Sequence, residues 1–292
     1  MRLLTAIAAM LVAAGACAGP LVIGAISRHP TEEIARYHPL ATYLAARLAD
    51  FGIEGGKVVV VTSIPQLGEL MSAAGADLMF DSPYPTLAVG QLAGSKVLLR
   101  RWKGGKASYR SLVIVRAQSP IVSPADLRGR VIAFEDTYST SGYFLPAATL
   151  QRAGFALREL ASPGARSKAE EIGYVFSDGY ANSLTWLLHG RADAAGVGEH
   201  DYERFLARET AQLRIVMETP SVPRNLVSAR RDLAPAMVAR IVELLLELEH
   251  TDEGKSMLKA LERTTRFDKL TAEDEKSLEA MRRMTKQAAA KR

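Results

Sequence analysis

"KVVVVTS", Lys57–Ser63, sets four valines in a row between a lysine and two hydroxyl residues. A strand with one wet face alternates apolar and polar residues. An unbroken apolar run instead marks a strand covered on both faces, as in parallel sheets. Upstream, "LVIGAIS" (Leu21–Ser27) reads the same way. Between the two, Ile34, Tyr37, Ala41, Leu44 and Leu48 recur at three- and four-residue steps, the single apolar stripe of a helix. Downstream, "QLGELMSAAGA" (Gln66–Ala76) predicts a second helix, and "DLMFDSPYP" (Asp77–Pro85) a third strand ending in a Pro-rich loop. The order βαβαβ is that of an open parallel sheet. Ligands on such sheets sit beyond the carboxyl ends of the strands, here Ser27–His29 and Asp81–Tyr84.

A second set of elements follows. "KASYRSLVIVR" (Lys106–Arg116) is extended, and strands are predicted at Val131–Phe134, Gly173–Phe176, Ala194–Val197 and Leu213–Met217, with helices near Gly142–Ala153 and Asn182–His189. "NLVSAR" (Asn225–Arg230) is extended again and leads to a helix over Ala234–Leu248. From Glu273 onward the chain is charged and helix-forming, which predicts a solvated surface helix. Two α/β sets joined by two extended crossings, near Tyr109 and near Ser228, predict two lobes with a cleft and a two-strand hinge. The expected division is residues 19–109 and 229–292 for the first lobe and 110–228 for the second.

Residues 1–18 are expected to be a leader. Arg2 is a short positive region, Leu3–Ala14 is apolar, and Ala16-Cys17-Ala18 fits the small-x-small cleavage rule, so cutting is expected after Ala18. The apolar run is shorter than the roughly 20 residues of a spanning helix. Lipid attachment through Cys17 is the less favoured reading, because Ala14, three residues before it, is smaller than the usual aliphatic. Cys17 is the one cysteine, so the mature chain has no disulfide, thiol nucleophile or thiolate ligand. Losing Arg2 takes the formal charge from +5 to +4. The excess is spread along the chain without a basic block, which argues against a nucleic-acid partner and for anionic small ligands.

"FEDTYSTSGYFLP" (Phe134–Pro146) carries the chemistry. Ser139, Thr140 and Ser141 precede Gly142 and an aromatic-apolar run, where a helix is expected to start. Three hydroxyls beside unpaired N–H groups either cap that helix or hold an anion, with Gly142 letting the ligand approach. Pro146, early in the expected helix, leaves its boundary open.

At these residues the chain resembles a known family. "YHPLATYLAARL", "DLMFDSPYP", "SYRSLVIVR" with "SPADLRGRVIAFED", and above all "STSGYFLP" resemble the periplasmic binding proteins of phosphate, phosphite and phosphonate ABC importers, the PhnD-like branch of the type II periplasmic binding protein fold. The resemblance covers the mature chain in order. It implies a monomer that binds a small oxyanion and docks on an inner-membrane permease. The alternative is a periplasmic sensor that presents the ligand to a membrane kinase.

By the same resemblance the Ser-Thr-Ser run holds the ligand oxygens, and Tyr37 is the aromatic expected on the first helix. Asp81, Ser82 and Tyr84 stand in the first-lobe loop, with Asp81 where an aromatic is usual. A carboxylate facing a dianion is repulsive, so Asp81 either turns away to support its loop or meets a proton or cation on the ligand. Tyr180 stands where some members carry a histidine. It either donates one hydrogen bond or packs on Trp186. His200, beside Glu199, and Asn225 replace the two carboxylates of aminoethyl-phosphonate binders, which favours a simpler oxyanion.

An enzyme is not expected. Glu199, His200 and Asp201 are read as strand neighbours that point apart, and nucleophile-elbow, zinc-helix and phosphate-loop motifs do not occur. The five histidines have no metal-ligand spacing, so neither a metal nor another cofactor is expected.

Overall fold

The computed structural model describes residues 19–206 and 213–289. The expected leader, Cys17 included, lies outside them. The chain runs β1 (Gly19–Ile26), α1 (Pro30–Ala46), β2 (Ile53–Val61), α2 (Ile64–Ser72), β3 (Leu78–Asp81), α3 (Pro83–Ala93) and β4 (Lys96–Lys103). It crosses through β5 (Ser108–Tyr109) into β6 (Ser111–Arg116), β7 (Val131–Phe134), α4 (Leu145–Arg152), β8 (Ala156–Glu159), β9 (Glu171–Phe176), α5 (Tyr180–Leu188), β10 (Ala194–Gly198), α6 (Glu199–Leu206) and β11 (Leu213–Glu218). It returns through β12 (Val222–Pro223) to β13 (Asn225–Ala229), α7 (Pro235–Glu247), α8 (Asp252–Ala260), β14 (Thr264–Asp268) and α9 (Ala272–Ala289).

Two six-stranded sheets result, ordered β14-β4-β13-β3-β1-β2 and β11-β6-β10-β7-β9-β8. In the first, β1 pairs in parallel with β2 and β3, and the returning β13 pairs antiparallel with β3 and β4; in the second, β7, β8, β9 and β10 pair in parallel, and β6 pairs antiparallel with β10 and β11. The short strands β5 and β12 pair only with each other, Val222 opposite Tyr109 and Pro223 opposite Ser108. They are the two-strand hinge of a type II periplasmic binding fold with two α/β lobes. The second crossing therefore lies at Val222–Pro223; Ser228, where it was expected, is inside β13 of the first sheet.

The α1 stripe forms as its spacing requires. Tyr37, Ala41, Leu44 and Leu48 are buried against the first sheet, while Ile34, expected in the stripe, is largely exposed. β2 begins four residues before the expected Lys57, running through Gly55 and Gly56. A Cβ on Gly56 would lie 2.2 Å from the backbone of Ala41, so only glycine lets helix and strand come this close. The expected Pro-rich loop after β3 is instead a helix: Pro83 and Pro85 open α3, where their missing N–H groups cost nothing.

The tail helix is not a solvated surface helix. α9 buries Leu278 and Met281 in a cluster with Leu87 of α3, Tyr109 and Val222 of the hinge strands, and Phe144, Leu145 and Ala148 of the second lobe. Most of its charges are exposed, Asp274 on Arg100 being the buried exception, and they conceal this stripe in a composition-based reading.

Candidate functional site

The carboxyl ends of both sheets open on one cleft of about 610 Å³ between the lobes. Its walls come from the loops after β1 and β3, the end of β4, the hinge, the turn after β7, the start of α5 and α6, and the turn before β14.

The Ser-Thr-Ser run forms a π-helical turn, Thr140–Phe144, rather than the first turn of an α-helix. Phe144 N–H donates to the Ser139 carbonyl and Leu145 N–H to that of Thr140. α4 then starts at Leu145, with Pro146 in its first turn. The wide turn leaves the Thr140 and Ser141 N–H groups without an acceptor inside it.

The three hydroxyls have separate fates. Ser139 is the cap: its Oγ accepts from Gly142 N–H at 2.9 Å and donates to Glu135 Oε2 at 2.6 Å. Thr140 Oγ1 accepts from Tyr84 N–H at 2.9 Å and donates to Ser82 Oγ at 2.9 Å, tying the lobes together. The Ser141 hydroxyl lines the cleft, as does Tyr109.

Two expected ligand contacts are corrected. Gly142 does not line the cleft; a Cβ there would meet Glu135 Cβ at 2.4 Å and Ser139 Oγ at 2.9 Å, so the glycine makes room for Glu135 and not for a ligand. Tyr84 also faces elsewhere, its ring stacked on Phe144 with centroids 4.1 Å apart. The other expected residues do meet at the cleft: Tyr37, Asp81, Ser82, Tyr180, His200 and Asn225.

Tyr37 is a buried brace. Its hydroxyl donates to the Phe80 carbonyl at 3.0 Å and accepts from Arg101 at 3.2 Å, and burial pushes its ionisation up. Asp81 supports its loop through Oδ1, which accepts from Ser82 N–H at 2.6 Å and Ser82 Oγ at 3.1 Å. Tyr180 opens α5, its ring packed on the second-lobe cluster of Leu112, Ile114 and Leu184. Glu199, His200 and Asp201 start a helix, not a strand. His200 reaches across to Arg263 at 3.2 Å, and burial lowers its pKa.

Residues that the sequence left unremarked supply the positive charge. Arg224 directly follows the hinge bridge, is buried, and lies with its guanidinium 4.3 Å from the Tyr109 ring centroid. Its Nε has no hydrogen-bond partner among the described residues, and neither has the neighbouring Asn225 Oδ1. Arg224 makes no ion pair among those residues either, which leaves a buried cation beside the hinge. Lys103 and Arg36 also line the cleft, but both are ion-paired, Lys103 with Glu262 at 2.8 Å, and Arg36 with Glu33 and with Glu262 at 3.4 Å.

The profile of the family described as "ABC transporter, phosphonate, periplasmic substrate-binding protein" matches residues 23–275. The chain belongs to this family. The phosphate-import protein PhnD of Mycolicibacterium smegmatis is 23% identical over 266 residues, covering 82% of this chain and 79% of its own. The protein XAC2383 from Xanthomonas citri, solved bound to chloride, is 26% identical with a TM-score of 0.88 over 93% of this chain and 99% of its own. The same protein has been solved bound to ATP. PhnD1 from Prochlorococcus marinus, in complex with methylphosphonate, shares the fold at 17% identity, with a TM-score of 0.65 over 92% of this chain and 98% of its own.

In a binding protein of this family the cleft's task is capture, and its charge balance is informative. Seven carboxylates line it (Glu33, Asp81, Glu135, Asp136, Asp178, Asp201, Glu262) against five basic side chains (Arg36, Lys103, Arg204, Arg224, Arg263). The overall positive charge of the chain is thus not what draws an anion here. Arg224 and Tyr109 line the cleft at the hinge, and Ser141 lines it at the turn after β7. Across the mouth Arg28 pairs with Asp178, joining the loops after β1 and β9.

Proposed function

We propose that this protein is the solute-binding component of an ABC importer and closes around a small phosphorus oxyanion, a phosphonate, phosphite or phosphate, which it delivers to an inner-membrane permease. The observation that carries the reading is the convergence at the cleft of Arg224, Tyr109, the Ser141 hydroxyl, and the Thr140 and Ser141 N–H groups, which have no acceptor inside the π-helical turn. Charge-assisted bonds from such groups are stronger than neutral ones and fix the anion's orientation. Tyr180 and His200 complete the wall on the second-lobe side. The relatives agree in ligand charge: one is named for phosphate import, and others were solved with methylphosphonate, ATP or chloride.

In this reading the lobes rotate about Ser108–Tyr109 and Val222–Pro223, and the ligand bridges them. A thermal-shift series with phosphate, phosphite and methylphosphonate tests it. Ligand at a hundred times its dissociation constant raises stability by about 2.7 kcal/mol, and small-angle scattering on the same samples gives a smaller radius of gyration. No stabilisation by any of the three sinks the proposal. Residues 1–18 act as the export leader in this scheme; mass spectrometry of exported protein is expected to find Gly19 first, and a lipid on Cys17 would refute that.

A further inference from the structure

The hydroxyls around the cleft point their protons at carboxylates. Tyr84 N–H donates to Thr140 Oγ1, the Thr140 hydroxyl donates to Ser82 Oγ, and the Ser82 hydroxyl donates to Asp81 Oδ1, at 2.9, 2.9 and 3.1 Å. On the other side of the turn the Ser139 hydroxyl donates to Glu135 Oε2. Both chains therefore end on a carboxyl group that lines the cleft. Asp81 Oδ2 and Glu135 Oε1 accept no hydrogen bond among the described residues.

A fully ionised anion at this turn meets lone pairs and negative charge on both flanks. Like charges a few ångströms apart in a partly buried site repel strongly. An anion that still carries an acidic P–OH has a donor to offer to the same oxygens. We propose that Asp81 and Glu135 make the cleft selective for phosphorus oxyanions that retain a proton, one or other carboxylate accepting a hydrogen bond from a ligand P–OH while its partner holds a proton of its own, over sulfur oxyanions of the same shape that have none. The proposal rests on the oxyanion reading above and adds the property by which the ligand is recognised.

The surroundings of the two carboxyls fit this role. Asp81 is faced by Glu33 of α1 and Glu262 of the turn before β14, and Glu135 by Asp136 of its own loop, Asp201 of α6 and Lys103 of β4. Burial, the largest cause, pushes each carboxyl up to about 7, against the hydrogen bonds from Ser82 and Ser139. Near neutral pH the site thus shares protons with its ligand. A sulfur oxyanion brings none, so it needs a protonated carboxyl and its binding weakens as pH rises through that value.

Calorimetric titration decides the matter with two pairs of near-isosteres: methylphosphonate against methanesulfonate, and phosphate against sulfate, at pH 6, 7 and 8. The wild type is expected to prefer the phosphorus compound at least about tenfold at pH 7. Toward pH 8 the preference widens for phosphate over sulfate, because hydrogen phosphate still carries a P–OH, and narrows for methylphosphonate, which loses its last acidic proton in this range. In Asp81→Asn and Glu135→Gln an amide N–H replaces a lone acceptor, so phosphorus affinity falls, sulfur affinity rises, and the ratio shrinks at least about tenfold. The two carboxyls sit on different lobes, so a folding failure in one variant leaves the other to decide. Phosphorus binding with the ratio unmoved in the folded variants overturns this inference alone. No binding of either phosphorus compound to the wild type overturns it together with the proposed function.

Discussion

Glu262→Gln is expected to lower stability by about 3 kcal/mol, near the low end of what breaking a buried ion pair costs. At about 2–4 °C per kcal/mol for a chain of this size, the unfolding midpoint falls roughly 6–12 °C. Among the described residues Glu262 is the one carboxylate on three cations: fully buried Arg101 at 2.6 Å, Lys103 at 2.8 Å and Arg36 at 3.4 Å. Burial by itself would raise its pKa; Arg101 and Lys103 outweigh that and hold it well below the usual carboxylate range. It is presented by a turn in which Glu262 and Arg263 both take positive φ, 50° and 55°, which non-glycine residues seldom adopt. That strain is sustained by the network it completes.

The pH dependence carries a definite sign. A depressed folded-state pKa gives stability that is present above the unfolded carboxylate value, about 4.3 for glutamate, and is lost as pH falls through the folded value. The gap between wild type and Glu262→Gln is therefore widest above roughly pH 5 and narrows in acid. Chemical denaturation at pH 7 and pH 3 measures it. An equal gap at both values would mean that the glutamate acts through packing and not through charge.

How far the sequence revealed the molecule varied with the physics behind each element. Buried parallel strands announce themselves, because a run such as Val58–Val61 has no other comfortable place. The tail helix was hidden because Leu278 and Met281 are sparse among charges, and their burial depends on long-range partners at the hinge. The π-helical turn at Thr140–Phe144 leaves no periodic signature in five residues, although the hydroxyl run marked its place. In the cleft, the residues named by their neighbours in sequence, Ser139–Ser141 and Asp81–Ser82, were found. Those brought in by topology, Arg224 and Tyr109, were not, and Glu135 was passed over although it stands four residues before Ser139. Arg224 had one available signal: a lone arginine between Pro223 and a fully buried strand needs a reason to be there.

That reason underlies the second large effect. Arg224→Met keeps the apolar stem and removes the charge. Removing one partner of a buried, hydrogen-bonded charge pair costs about 2–5 kcal/mol of binding, much of it the penalty on the partner left behind. A loss of about 2.7 kcal/mol is roughly a hundredfold in dissociation constant for phosphate or methylphosphonate. The ligand-free protein should be affected much less. Arg224 makes no ion pair among the described residues, and what the variant loses inside the fold is the cation–π contact with Tyr109, on the order of 1 kcal/mol. Arg224→Lys restores charge without the planar fork and should recover only part of the affinity. Titration and ligand-free melting on the same three proteins separate a ligand-holding arginine from a hinge brace. The first gives a large binding loss with a small melting shift; the second gives the reverse, and that result would move the anion site away from the hinge.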